Sequence, residues 1–219
     1  MNHTKIEWCD FTWNPLRTVC RHRCWYCYAA GIIQRFGHDY RKQAHLDDLD
    51  GPRKMKKPAR IFVGSMTDIF GEWVPWDTIE RIFAAAAGYP QHTFIFLTKN
   101  PHRYREFVGR IPANCWLGAT ATDQAQWDNA YNALQLDDML PGHIKFVSCE
   151  PLLRPIEPGL FTPDWIIIGA LTGPRSKDYQ PDPGWIEYLI HYARWCGSPI
   201  FLKDNLGWPE KIQEYPEER

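Results

Sequence analysis

The chain has 219 residues, 44% of them hydrophobic and 23% charged, an ordinary globular composition with length enough for one sizeable core. Its 25 Lys and Arg against 26 Asp and Glu give no bulk attraction to nucleic acid or to an anionic membrane, although a local basic patch stays open. No apolar run approaches the ~20 residues of a membrane span, and the opening MNHTKIEWCD lacks a charged-then-apolar leader, so a reducing cytoplasm and no membrane partner are expected. Aromatics at 15% suit a barrel wall or a pocket that stacks flat rings.

In chain order, Ile6 to Trp13 alternates apolar and polar residues and reads as a first strand, ended by Asn14-Pro15. A loop from Leu16 to Cys27 follows, then a helix from Tyr28 to Phe36 closed by Gly37. Residues 38–60 are polar and carry a basic run from Arg53 to Arg60. Arg60 to Ser65 is a short buried strand that opens into Met66-Thr67-Asp68, and Trp76 to Gly88 is a helix. Thr93 to Leu97 is a strand opening into Thr98-Lys99-Asn100, with a helix from Pro101 to about Val108. Trp116 to Ala119 is a strand, followed by Thr120 and a helix from Gln124 to about Leu140. Ile144 to Ser148, Trp165 to Gly169 and Pro199 to Leu202 are strands that open into Cys149-Glu150, Ala170-Leu171-Thr172 and Lys203-Asp204-Asn205. Gly184 to Cys196 is a helix, and the charged tail after Trp208 is expected to be loose.

Alternating strand and helix imply parallel strands joined by right-handed crossovers. The strands begin plainly and end in polar residues, as in a β/α barrel whose site lies at the strands' C-terminal ends. The expectation is therefore one α/β domain over 1–219, a full or partial barrel of about six or seven parallel strands. A doubly wound open sheet is the alternative, weakened because no G-x-G-x-x-G follows the first strand.

The loop carries Cys20-Arg-His-Arg-Cys24-Trp-Tyr-Cys27, three thiols spaced C-x3-C-x2-C. Three thiolates this close can hold three irons of one cubane cluster and leave the fourth iron open to a small molecule. The alternative is a structural zinc with His22 or Cys9 as fourth ligand, but zinc sites come as two separated pairs and no C-x2-C recurs. Seven cysteines is an odd count, which disfavours a disulfide framework. Cys9, Cys115 and Cys196 read as packing residues.

With Tyr26 before the last thiol, the pattern resembles the signature of the radical S-adenosylmethionine superfamily. The segments IEW, TWNP, CYA, LTK-P, SCEPLL, WIIIG followed by T-G-P-R, and PIFLKDN resemble an uncharacterised phage-associated family of short radical S-adenosylmethionine-like proteins. That family is similar, more distantly, to the DNA photoproduct lyases. The resemblance implies a partial β/α barrel of the radical S-adenosylmethionine type, with one 4Fe–4S cluster held by Cys20, Cys24 and Cys27. It also implies bound S-adenosylmethionine, cleaved to a 5′-deoxyadenosyl radical, and an electron donor such as flavodoxin or ferredoxin. The family has a GGESG-like segment where this chain has Gly169-Ala170-Leu171-Thr172-Gly173, so a glutamate expected there is missing.

By the same resemblance Tyr26 packs on adenine, with ordinary loop packing as the alternative. Gly64, Ser65, Thr67 and Asp68 would hold the methionine ammonium, although Ser, Thr and Asp also favour plain turns and caps. Lys99 can meet the methionine carboxylate and Thr120 the ribose; both also suit solvated loops. Glu150 can bind ribose, ammonium or substrate, or form an ion pair with Lys99 or Lys203. Cys149 can donate a hydrogen atom to a product radical, or simply fill space. The Arg53–Arg60 run belongs to the face opposite the cluster, whereas His102, Arg103 and Arg105 are better placed to touch a phosphate backbone. The function expected is hydrogen abstraction from an unknown substrate, a nucleotide or nucleic acid being the thin expectation. The alternative is a metal-stabilised nucleic-acid-binding or structural protein without turnover.

Overall fold

Short apolar strands, buried on both faces, carry the architecture, as their near-continuous Val, Ile, Phe and Leu content requires. In the computed structural model, residues 1–36, 44–135, 140–173 and 175–216 are described. The chain falls into two compact units, Met1–Leu117 and Gly118–Arg219, taken here in turn.

In the first unit β1 (Asn2–His3) runs antiparallel to β2 (Phe11–Trp13). β2 pairs in parallel with β5 (Arg60–Val63), and β5 in parallel with β6 (Thr93–Thr98). A separate antiparallel pair joins β3 (Leu16–Arg17) to β4 (His45–Leu46). The helices are α1 (Tyr28–Phe36) and α2 (Trp76–Ala87). α2 buries Ile79, Ile82, Phe83 and Ala86, one face at helical spacing. Phe83 there joins Phe70, Phe96, Tyr104 and Phe107 in an aromatic core, with Phe70 and Tyr104 ring centroids 4.5 Å apart.

Three expectations are corrected in this unit. The strand expected from Ile6 begins only at Phe11, because the Cys9 amide turns back onto Ile6 O and the Asp10 carboxylate accepts the Arg60 amide at 2.8 Å. The segment after Pro101 is a 3-10 helix, Pro101–Phe107, not an α-helix. Arg103 on that helix is buried and gives its guanidinium to the carbonyls of Gly71 and Val74, so it serves the core and no phosphate backbone. The expected closure of α1 at Gly37 lies outside the described residues.

β7 (Cys115–Thr120) is buried throughout and is where the chain passes between the units. In the second unit β8 (Lys145–Cys149), β9 (Trp165–Ile168) and β10 (Ile200–Leu202) pair in parallel, with Phe146 opposite Trp165 and Ile166 opposite Ile200. α3 (Gln124–Leu134) starts at Asp123, whose carboxylate accepts the Gln126 amide; its expected extension toward Leu140 crosses residues 136–139, outside the described set. α4 (Pro183–Cys196) is capped by Asp182 and stopped by Gly197 at φ 71°. The tail is not loose as far as Pro216. The Leu202 amide donates to Ile212 O at 2.7 Å, Trp165 Nε1 donates to Glu214 O at 2.8 Å, and the Tyr215 ring packs on Trp165 and Phe201.

Both units are thus α/β, and in each the longer strands pair in parallel. Among the described residues no helix is long and apolar enough to cross a membrane.

Candidate functional site

The cysteine loop follows β2 and β3 and ends where α1 begins. Cys20, Cys24 and Cys27 line one cavity of about 290 Å3, together with Val19, Arg23, Ile33 and Met66. A tight turn, Cys27 N–H to Cys24 O at 3.1 Å, brings the last two thiols to the same side as Cys20. Arg23 between them sits at φ 52°, a left-handed conformation that an arginine adopts only under constraint. Burial pushes the Cys20 thiol up, while the backbone N–H groups of His22 and Asp68 pull it back; the Asp68 and Cys27 charges also reach it.

Among the described residues no group of three His, Cys, Asp or Glu side chains is gathered to hold a metal ion. A tetrahedral zinc would need its sulfurs about 3.8 Å apart, given Zn–S bonds of about 2.3 Å. A cubane puts each thiolate on a different iron, so its ligand sulfurs stand farther apart. The donor set is three thiols on one largely apolar cavity.

The turn after β5 reaches the same cavity through Met66. Gly64, at φ 80°, leaves no room for a side chain: a Cβ would lie 2.6 Å from Ile69 Cγ1 and 2.8 Å from Thr67 O. Ser65 exchanges hydrogen bonds with Asn14 at 3.1 and 3.2 Å, and its carbonyl accepts Tyr28 Oη at 2.6 Å. Thr67 is buried, and its hydroxyl has no partner among the described residues; the same holds for Trp73 Nε1. Orphaned groups of this kind call for a water or ligand.

Asp68 is the most heavily used carboxylate of the site. Its Oδ2 accepts His22 Nε2 at 2.8 Å, Thr98 Oγ1 at 2.9 Å and the Lys99 amide at 2.9 Å, and its Oδ1 accepts the Phe70 amide at 2.9 Å. Lys99 follows β6 and holds Nζ 5.6 Å above the Tyr26 ring, which meets Trp25 edge-on at 5.4 Å. So the first unit brings together Cys20, Cys24, Cys27, Tyr26, Gly64, Ser65, Thr67, Asp68 and Lys99.

The remaining candidates lie in the second unit. Thr120 is buried at the end of β7. Cys149 is fully enclosed at the end of β8, and burial pushes its thiol up, so it stays an S–H. Glu150 Oε1 pairs with Lys203 Nζ at 2.8 Å while its Oε2 accepts Ser148 Oγ at 2.8 Å. Gly169 exists to admit that pair: a Cβ there would lie 2.9 Å from Lys203 Cδ and 3.1 Å from Glu150 Cγ. Asn205 binds Ala170 through both its amide N–H and carbonyl. In the segment that lacks the expected glutamate, Leu171 is buried.

Sequence reasoning passed over His22 as a partner of Asp68 and Asn14 as the tie between β2 and the Ser65 turn. The signals were polar residues beside a thiol and before Pro15; nothing local named their partners, which lie 46 and 51 residues away. No curated protein and no solved structure matches the chain. A family model described as a protein of unknown function, DUF5131, covers residues 3–217, and the chain belongs to that family.

Proposed function

We propose that the chain is a radical S-adenosylmethionine enzyme built as a partial β/α barrel, acting in the cytoplasm. The observation that carries this reading is the convergence of Cys20, Cys24 and Cys27 on one cavity. A 4Fe–4S cluster bound there through three thiolates would deliver an electron, taken from a donor such as flavodoxin or ferredoxin, to the sulfonium of S-adenosylmethionine, yielding a 5′-deoxyadenosyl radical.

The chain's own residues then bind and orient. The Thr67 hydroxyl, buried without a partner, supports a polar ligand group beside the Ser65–Asp68 turn. Lys99, held over Tyr26, offers a cation to a carboxylate, and the Tyr26 ring offers a face to a base. A nucleotide or nucleic acid substrate is supported by the rim. Trp25 and Tyr28 are each 50% exposed, and Arg21 and Arg23 lie exposed beside them. Exposed aromatic faces near basic side chains are how single-stranded nucleic acid is held. Cys149 as hydrogen donor and Glu150 or Thr120 as ligand contacts stay part of the proposal, although Cys149 reaches no surface.

Anaerobic reconstitution tests this. Wild-type protein should turn brown with about four irons per chain and cleave S-adenosylmethionine when reduced. Cys24→Ala should lose the colour and the cleavage together. A colourless protein carrying zinc would support a metal-stabilised, non-catalytic role instead.

A further inference from the structure

We propose that Asp68 is a positioning residue that clasps the cysteine loop through His22, and not an acceptor for a ligand's ammonium. The clasp does not depend on the cluster reading. A carboxylate offers about four lone-pair sites, and Asp68 meets four donors from three stretches of chain: His22, Phe70, and the Thr98–Lys99 pair. Three of the four crowd Oδ2; Oδ1 takes only the Phe70 amide, and with Asp68 just 9% exposed an ammonium would have to break into this set to reach it. Thr98 is 1% exposed, and stranding its hydroxyl or a backbone N–H there is costly. His22 is the only one of these donors that comes from the cysteine loop, midway between Cys20 and Cys24.

The geometry of His22 is fixed on two sides. A carboxylate oxygen accepts, so Nε2 carries the proton and donates it at 2.8 Å. The ring also meets Trp73 edge-on at 5.0 Å. Holding His22 to Asp68 therefore ties the middle of the cysteine loop to the turn after β5.

The test uses the full chain with His22→Leu, His22→Gln and Thr98→Val. Hydrogen exchange over residues 20–27 of the metal-free protein is the readout. His22→Leu should speed it by about tenfold or more, the scale of one hydrogen bond to a charged group. His22→Gln, whose amide reaches the same acceptor, should restore it to within about threefold. Thr98→Val, which removes a donor from the far side, should leave the loop within the same factor of wild type. Unchanged exchange in His22→Leu, no rescue by Gln, or equal loosening by Thr98→Val would overturn the clasp. If wild type takes up no iron, the cluster reading fails, while the exchange results still decide the clasp.

Discussion

At the scale of single residues, the two units handle buried charge differently. Asp68 is surrounded by neutral and imidazole donors, whereas Glu150 faces the Lys203 ammonium, both side chains being about 15% exposed. A half-removed pair leaves the other charge poorly solvated, so single substitutions cost more than the pair is worth. Lys203→Met should destabilise the protein by about 2 kcal/mol, Glu150→Gln by somewhat less because Ser148 can still donate to it. The double variant should recover about 1–2 kcal/mol of the sum, read from denaturant midpoints at constant slope. Additivity of the two would mean that the ion pair contributes nothing. Gly169 adds a steric check: an alanine there must push Lys203 and Glu150 apart, and should cost about 1–3 kcal/mol.

At the scale of elements, what was legible in the sequence was whatever depends on local pattern. The apolar runs RIFV, TFIFLT, KFVSC and WIII became strands within a residue or two of expectation, because a strand buried on both faces declares itself by composition. α1 spans Tyr28–Phe36 as its periodicity requires. The failures are those of partners distant in sequence. Ile6–Cys9 alternates like a strand but turns to bury Trp8, and the tail after Trp208 looks solvated until Ile212 and Tyr215 find β9 and β10. In the site, the C-x3-C-x2-C spacing announced three thiols on one loop, but not that His22 would serve Asp68. Asp123, three residues ahead of Gln126, satisfies an orphan amide at the start of α3. Asp123→Ala should cost about 1 kcal/mol, and Asp123→Asn, which keeps an acceptor, much less; thermal unfolding measures both. An equal loss in the two variants would argue for a charge effect instead of a cap.

At the scale of the molecule, each unit places its polar residues at the C-terminal ends of its own parallel strands. In the first, Asp68 follows β5 and Lys99 follows β6; in the second, Glu150, Gly169 and Lys203 follow β8, β9 and β10. The near balance of 25 basic and 26 acidic residues leaves no large net field, so pH acts on stability through individual pairs. Glu214 is one such pair. Hydrogen bonding to Arg194 holds its carboxyl below the usual value against a smaller opposing effect of burial, and the Ile200 amide assists. A carboxyl depressed in the native state binds fewer protons there than in the unfolded chain. Its contribution is therefore complete above the unfolded value, about 4.3, and is lost as pH falls through the lower native one. Both side chains are more than a third exposed, at 50% and 39%, so screening keeps the contribution under about 1 kcal/mol. Glu214→Gln should accordingly lower stability slightly at pH 7 and converge on wild type as the solution is acidified below that window. The gap should also shrink in about 1 M salt, where the screening length falls to about 3 Å. No gap at pH 7 would mean that Glu214 holds the tail through its backbone bonds to Trp165 and Ile200 alone, and that its charge is idle.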